Sequence, residues 1–379
     1  FLDLPPEVLI SEMKNHQRYF ALTDANGKLT NQFITVANMV NADGGAHVKA
    51  GNARVVRARL ADGEFYWEQD RKTSLEDWGK KLSDVVFHAK VGMMNEKVAR
   101  IETLAVEIAK TIGFTDERSV RRAAKLCKAD LTSGMVGEFP ELQGIMGRYY
   151  ALAQGESPEI ADAIRDHYKP LGANDSVPES KLAAIIALAD KLDSIISLFA
   201  AGEKPTGSKD PLALRRAALG VVRIIDRHQW NIDLVAIAPE HSSKHEVIAF
   251  IRERLINLMR ERSPDLVVVR HDVIEAILSK DAHGLNVVLI STRMENLAAW
   301  LTTDSGKATL AAIKRAMNIL AAEEKKAKTT FAASTSGAKE PSEKAIAVAL
   351  AVAPKTPSDL EALTAPINQF FTDLLAMRH

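Results

Sequence analysis

Apolar residues recur at steps of three and four positions through most of the sequence after residue 75, and this helical period constrains the fold more than any other feature. Val98, Ile101, Leu104, Ile108 and Ile112 form one such stripe, and Gly113 follows as a helix stop. Similar patterns cover residues 120–131, 144–152, 158–167, 181–199, 247–262, 272–278, 287–301 and 307–326. The sequence therefore predicts a mainly α protein.

The first 74 residues have a different pattern, with a bias toward β structure. A short helix is predicted to open at Pro6, because proline is favoured in the first helical turn. Strand-like residues at 19–22 and 33–37 flank the pair Asn26-Gly27, which is typical of a β-hairpin. We therefore predict a small mixed α/β segment before the helical part of the chain.

Residues 52–60 alternate between polar and apolar side chains, and the alternation predicts a further strand with Arg57 and Arg59 on one face. The basic cluster of this segment comprises Lys14, His16, Arg18, Arg54, Arg57 and Arg59. Two interpretations remain open: a solvated charged face, or a surface that contacts phosphate groups.

The chain has 49 basic and 49 acidic residues, so it carries no excess of positive charge. Any surface that binds nucleic acid must therefore arise because basic residues are segregated on one part of the protein. The single cysteine, Cys127, excludes an internal disulfide and a cysteine-based zinc site, and it suits the cytosol. No apolar run approaches the length of a membrane span. Phe1 is not a natural initiator, so we expect a fragment of a longer protein.

A chain of 379 residues is long enough for two or three domains. We predict a mixed α/β segment at 1–74, an all-helical domain at 75–232 and a helical bundle at 233–379. Within the bundle, residues 323–342 are rich in alanine, lysine, serine and threonine and are predicted to form a flexible loop. A last helix is predicted from about Ser358.

The stretch 125–150 carries the most distinctive set of polar residues. Pro140 interrupts its apolar period, so a second helix is predicted to begin there after a corner. The charged residues near this corner are Lys128, Asp130, Glu138 and Glu141. They would form either an exposed polar site or a buried ion pair.

A second polar motif surrounds Asp210. This residue is a good N-cap and Pro211 a good first helical residue, so a helix is predicted to start here. A phosphate would fit at the helix N-terminus, and Lys209, Arg215 and Arg216 would add positive charge. The alternative is a capped loop with a structural role. The motif is neither a Walker A loop nor a dinucleotide fingerprint.

Four sequence words carry a family resemblance. KADLTSGMVGEFPELQGIMGRYYA, HYKPLGANDSVP, ADKLD and PTGSKDPLALRRAALGVVRII occur in this order. They resemble the β subunit of bacterial α/β-type glycyl-tRNA synthetase. LPPEVLISEMKNHQRYF near the start and LTAPINQFF near the end fit the same family, so the resemblance spans nearly the whole chain.

The resemblance implies that the 75–232 domain has an HD phosphohydrolase-like fold. An HD metal site needs a histidine, a His-Asp pair and a later aspartate. This sequence has Lys97, Ala129-Asp130 and Asp190 at those places, so both histidines are missing and we expect no metal. The surviving carboxylates are expected to form ion pairs, with Lys97 or Lys128 in place of the metal charge. An HD-type metal-dependent phosphohydrolase remains the alternative function.

The resemblance also implies a C-terminal anticodon-binding bundle. The word AIKRAMNIL resembles KR-x-x-NIL of the family, which makes Lys314, Arg315 and Asn318 candidate anticodon contacts. A solvated helix face is the alternative. The candidates for contacts to the acceptor arm or backbone of the tRNA are Lys14, Arg18, Arg54, Arg57, Arg59, Lys128, Lys209, Arg215 and Arg216.

The resemblance implies a tRNA-binding subunit of glycine–tRNA ligase. Its partners would be tRNA(Gly) and the α subunit, and it would bind neither DNA nor a membrane. Its location would be the cytoplasm. ATP and Mg²⁺ would act at the α subunit, so no cofactor and no catalytic residue is expected in this chain. A third possibility is a helical scaffold that binds only protein.

Overall fold

Helices dominate the computed structural model, which describes residues 1–40, 42–262, 284–330, 338–351 and 356–376. The prediction of a mainly α protein is confirmed. None of the described helices is long and apolar enough to cross a membrane. The chain divides into two units, Phe1–Arg254 and Leu255–His379. The first unit contains both the 1–74 and the 75–232 segments, whose separation into two domains stays a prediction.

The N-terminal segment begins with α1 (Pro6–Ser11), which continues as a π-helical turn over Glu12–His16. Strands β1 (Phe20–Thr23) and β2 (Leu29–Ile34) pair antiparallel. The predicted hairpin is therefore confirmed, with its second strand beginning earlier than the pattern indicated.

The turn of this hairpin is held by Asp24. Its carboxylate accepts hydrogen bonds from the backbone N–H groups of Asn26 and Lys28, each at 2.9 Å. Gly27 has φ of +78°, a conformation that glycine adopts without strain. Beneath the hairpin lies a small apolar core formed by Leu4, Leu9, Met13, Tyr19 and Val56.

The strand predicted over residues 52–60 is wrong, because these residues lie within α2 (Ala46–Asp70). The buried residues of α2 are Val56, Gly63 and Asp70, and their spacing of seven corresponds to two helical turns. Packing of this one face against the N-terminal core outweighs the short alternation in the sequence. Arg54 and Arg57, three apart, therefore share a face, whereas Arg57 and Arg59 do not.

Helices joined by turns and one short hairpin make up the rest of the first unit. The strands of the hairpin are β3 (Val86–His88) and β4 (Gly92–Met93). The helices are α3 (Leu75–Lys81), α4 (Met94–Thr111), α5 (Glu117–Leu126), α6 (Gly134–Glu138), α7 (Ile145–Ala153), α8 (Pro158–Asp166), α9 (Lys181–Ala200), α10 (Leu214–His228), α11 (Leu234–Ile237) and α12 (Lys244–Arg262). Helix α9 is central, because nearly all its residues are buried and it packs against α4, α5, α8 and α10.

The apolar stripe predicted from Val98 onward lies on α4. Val98, Ile101, Leu104 and Ile108 are buried, and α4 packs against α5 and α9 through this face. Gly113 has φ of +72° and follows the helix end, as predicted for a helix stop.

The chain turns sharply at Pro140, as predicted. Phe139 leaves the helical region with φ of −122° and ψ of 78°. Pro140 opens only a 3₁₀ turn, Pro140–Leu142, and α7 begins at Ile145 after Gly144 at φ of +78°. The corner is therefore built from a turn and a glycine instead of two helices that meet directly.

The second unit is also helical. After its part of α12 it contains α13 (Val287–Thr302), α14 (Asp304–Ala327), α15 (Pro341–Ala351), a 3₁₀ stretch (Pro357–Leu363) and α16 (Thr364–Ala376). Leu363, Ile367 and Phe371 are buried with Ala312, so the 3₁₀ stretch and α16 pack through an apolar face. The helix predicted at 272–278 and residues 331–337 of the predicted loop lie outside the described residues.

Helix α14 differs from its prediction. Its apolar period predicts a face formed by Leu310, Ile313, Met317 and Leu320. The buried residues are instead Gly306, Thr309 and Ala312, and Met317 and Leu320 are exposed. The small residues allow a close approach, and Thr309 Oγ1 lies 2.6 Å from the Thr364 Oγ1 of α16. The helix also continues to Ala327, so residues 323–327 are helical and not part of a loop.

Candidate functional site

Four buried charged side chains meet where α4, α9 and the turn after α5 come together. Lys97 of α4 places its Nζ 2.8 Å from Asp190 Oδ1 and 3.0 Å from Asp193 Oδ2, both on α9. Lys128, in the turn after α5, lies with its Nζ 2.8 Å from Asp190 Oδ2. We call Lys97, Lys128, Asp190 and Asp193 the charged core.

The ion pairs keep Asp190 and Lys97 ionised. Burial alone would raise the pKa of Asp190, but the Lys128 and Lys97 ammonium groups outweigh it and hold that pKa well below its usual range. Burial alone would likewise lower the pKa of Lys97, but Asp190 and Asp193 raise it. These carboxylates are therefore matched by fixed positive charges.

The charged core confirms that Asp190 forms ion pairs with lysines in this helical domain. Two members of the network were not predicted: Asp193, and Arg100, whose Nε lies 2.5 Å from Asp193 Oδ1. The available signal was the spacing of Asp190 and Asp193, three apart within a largely apolar helix. The same burial removes Lys128 from the surface candidates for tRNA contact.

Asp130 makes no ion pair with any described residue, so the expectation that both surviving carboxylates form ion pairs is wrong for this one. Its Oδ2 accepts hydrogen bonds from the backbone N–H groups of Gly144 at 2.5 Å and Gly147 at 3.0 Å. Burial raises the pKa of Asp130 to about 6, although both hydrogen bonds oppose the shift. Glu138 and Glu141 are exposed, so the four charged residues near Pro140 do not form one site.

Histidine is present near the charged core but is not arranged as a metal ligand set. His167 is buried, and its Nδ1 lies 2.6 Å from the carbonyl oxygen of Ile164. Burial, and then the Lys128 charge, lower its pKa. In the described parts of the chain, no three histidine, cysteine, aspartate or glutamate side chains could hold a metal ion together. The alternative of an HD-type phosphohydrolase finds no support in this geometry.

The basic residues of the N-terminal segment lie at the surface. Lys14 and Arg18 are exposed around the π-helical turn, and Arg54 and Arg57 are exposed on α2. Arg59 is also exposed, but it points toward acidic groups, with its Nη1 3.9 Å from Asp62 Oδ2. The segment therefore presents cations on two adjoining elements.

The phosphate site predicted at the helix N-terminus near Asp210 is occupied by a side chain of the protein. The carboxylate of Asp210 accepts hydrogen bonds from the backbone N–H groups of Leu214 and Arg215, both at 2.9 Å. Helix α10 therefore begins at Leu214 and not at Pro211, because Asp210 caps it across a turn. The predicted space for a phosphate is occupied by this carboxylate.

The basic residues beside Asp210 have different environments. Arg215 folds back on the loop, where its Nη2 donates a hydrogen bond to the carbonyl oxygen of Gly207 at 2.6 Å. Lys209 and Arg216 are exposed and form no ion pair with any residue that the structure describes. Arg215 thus acts in the loop structure, and Lys209 and Arg216 remain surface candidates.

The three anticodon candidates lie together on α14. Lys314, Arg315 and Asn318 are all exposed, on neighbouring turns of the helix. The Arg315 guanidinium lies over the Phe371 ring, with its carbon 4.2 Å from the ring centroid. The aromatic ring therefore restrains one of the three side chains.

Comparison with known proteins identifies one family. The family model described as glycyl-tRNA synthetase beta subunit matches residues 1–279. The chain is 50% identical to the glycine–tRNA ligase beta subunit of Phenylobacterium zucineum (strain HLK1), over 92% of this chain and 51% of that protein. It is 43% identical to the corresponding subunit of Rhodospirillum centenum, over 98% of this chain and 55% of that protein.

The subunit of the same name from Paracoccus denitrificans is 44% identical, over 86% of this chain and 47% of that protein. The chain thus spans about half the length of the curated relatives it matches. With a family model that covers most of the sequence, the chain belongs to the glycyl-tRNA synthetase beta subunit family.

Proposed function

We propose that this chain is part of a tRNA-binding β subunit of glycine–tRNA ligase and holds tRNA(Gly) for glycylation by a separate α subunit. The match of the family model to residues 1–279 carries this proposal. The relatives, which are named as beta subunits of the ligase, support a hetero-oligomer with an α subunit and tRNA as partners.

The proposed contribution of the chain is positioning. Exposed cations of the N-terminal segment, such as Arg54 and Arg57, would contact phosphates and orient the tRNA. Lys314, Arg315 and Asn318 of α14 would contact unpaired bases of the anticodon loop. Holding the reactive end of the tRNA in place lowers the entropic cost of the reaction.

The state of the charged core supports a non-catalytic role for this part of the chain. Asp190 is bonded by two lysines and Asp193 by Lys97 and Arg100, so these carboxylates have fixed structural partners. A general base needs a carboxylate that can exchange its proton near neutral pH. This agrees with our proposal that glycine activation, with ATP and Mg²⁺, occurs at the α subunit.

The test is binding of this chain to tRNA(Gly) and to the same tRNA with a changed anticodon, each titrated at low and high salt. We expect tighter binding to the native anticodon and a loss of affinity as salt rises. Equal binding of both tRNAs would contradict anticodon recognition, and absence of binding would contradict the proposal as a whole.

A pair of variants on α14 refines this test. Arg315→Ala with Asn318→Ala is expected to remove the preference for the native anticodon, while glycine activation by the α subunit continues. Lys326→Ala is the matched control, because Lys326 lies on the same helix and pairs with Glu323 at 2.6 Å. Loss of glycine activation in the double variant would show that the assigned roles are wrong.

A further inference from the structure

Helix α5 presents a row of cations that the sequence motifs did not include. Its inner side is apolar, with Val120, Ala123, Ala124 and Leu126 buried. Its outer side carries Arg118, Arg121, Arg122 and Lys125. The steps of three, four and seven place these four side chains on one face of the helix.

Two of these cations are held by carboxylates, one on α5 itself and the others on neighbouring elements. The Arg121 guanidinium lies 2.6 Å from Glu117 and 3.0 Å from Glu102 of α4. Arg122 bridges Glu76 of α3 and Glu156 of the turn after α7. Arg121 is thus held toward α4, and Arg122 is held toward α3 and the turn after α7. These ion pairs fix the position of both guanidinium groups.

The other two cations, Arg118 and Lys125, are exposed and make no ion pair with any residue in the described ranges. They lie two helical turns apart, about 10.5 Å along the axis. Both line a surface groove of about 660 Å³, together with the hydroxyl-bearing Ser119 and Ser157.

The acidic residues of the groove are already used by the protein. Glu102 and Glu156 bind the two fixed arginines. Asp116 caps α5 by accepting a hydrogen bond from the backbone N–H of Ser119 at 3.0 Å. The groove therefore offers two unpaired cations, whereas its acidic groups have internal partners and its hydroxyl groups already bond within the protein, Ser119 to Asp116 and Ser157 as the cap of α8.

We propose that this groove binds phosphates of the tRNA backbone through Arg118 and Lys125. The inference rests on the proposed function, and it adds a contact surface on the helical domain to those of the N-terminal segment and α14. Arginine, lysine and serine are the side chains that commonly contact phosphate oxygens. Interfaces between proteins have apolar centres. Among the described residues, Ile160 is the single apolar residue that lines the groove, so an acidic protein is a less suitable ligand than a tRNA backbone.

The test is tRNA(Gly) binding by the variant Arg118→Ala with Lys125→Ala as a function of salt. Log affinity falls linearly with log salt concentration, and each lost phosphate contact makes this slope shallower by about 0.9. The loss of affinity between low salt and a fourfold higher salt should therefore be about tenfold smaller than in the wild type.

The matched control is Lys110→Ala with Lys181→Ala. These lysines are exposed and have no ion pair among the described residues, and they lie in the same unit but outside the groove. The control removes the same charge, so it should leave a slope close to that of the wild type. Thermal unfolding of both variants verifies that each is folded.

The outcomes separate this inference from the proposed function. If the wild type binds tRNA and the groove variant keeps its salt slope, the groove inference is overturned while the proposed function stands. If the wild type does not bind tRNA at all, both are overturned. If polyglutamate displaces tRNA from the wild type but not from the groove variant, the groove binds acidic chains in general and the RNA assignment is overturned.

Discussion

Lys128 Nζ lies 2.8 Å from Asp190 Oδ2 in the interior of the helical domain, and Lys97 contacts the other oxygen of the same carboxylate. One aspartate is thus shared by two lysines that approach from different elements. The pairing explains how a polar cluster persists in a domain whose central helix is largely apolar.

The first prediction concerns this shared carboxylate. Asp190→Asn leaves two buried lysines without their common partner, so the free energy of unfolding should fall by about 3–5 kcal/mol. Urea denaturation followed by circular dichroism measures the change. The control is Asp77→Asn, which removes an exposed partner of Lys80 and should have a much smaller effect. Similar losses in both variants would contradict the structural role of the charged core.

The second prediction concerns Glu12, which is buried in the π-helical turn. Burial raises its pKa to about 7; Arg59 opposes this, whereas Asp62, Glu138 and Glu141 add to it. Because the folded protein then binds a proton more tightly than the unfolded chain, the Glu12 contribution to stability falls as pH rises from about 4.5 to about 7.

Glu12→Gln should remove this contribution, so the variant gains stability relative to the wild type above pH 7 and loses that advantage in acid. Unfolding midpoints at several pH values provide the measurement. Glu138→Gln, which alters an exposed neighbour, is the control. A constant difference between Glu12→Gln and the wild type at all pH values would rule out titration of Glu12 in this range.

The third prediction concerns the cap of α10. Asp210→Ala removes two hydrogen bonds to backbone N–H groups and should destabilise the protein by about 1 kcal/mol. Asp210→Asn retains an oxygen acceptor and should lose less. Thermal unfolding distinguishes the two variants, and equal destabilisation would show that charge rather than capping geometry matters at this position.

The fourth prediction uses the helical placement of the N-terminal arginines and rests on the proposed function. Arg54→Ala with Arg57→Ala removes two cations from one exposed face of α2. The salt slope of tRNA binding should fall by about two. Arg59→Ala should have a smaller effect, because Arg59 faces Asp62 and Glu12. The reverse order of effects would contradict this surface assignment.

Much of the fold follows from local patterns. The stripe from Val98 to Ile108 and its glycine stop predict α4, and the Asn26-Gly27 pair predicts the first hairpin. These signals succeed because the residues concerned interact with neighbours a few positions away. The alternation at 52–60 fails for the opposite reason: α2 is defined by packing of Val56 and Gly63 against the N-terminal core.

The candidate site divides in the same manner. The resemblance to an HD-type site that lacks its histidines implies that Asp190 pairs with a lysine in place of the metal charge. It leaves open whether Lys128 is buried, and it does not indicate that Arg118 and Lys125 stay unpaired beside Arg121 and Arg122, which are held by carboxylates. Those features depend on which side chains meet across α3, α4, α5 and α9. Contacts between residues distant in sequence have no periodic signal, so only the folded structure decides them.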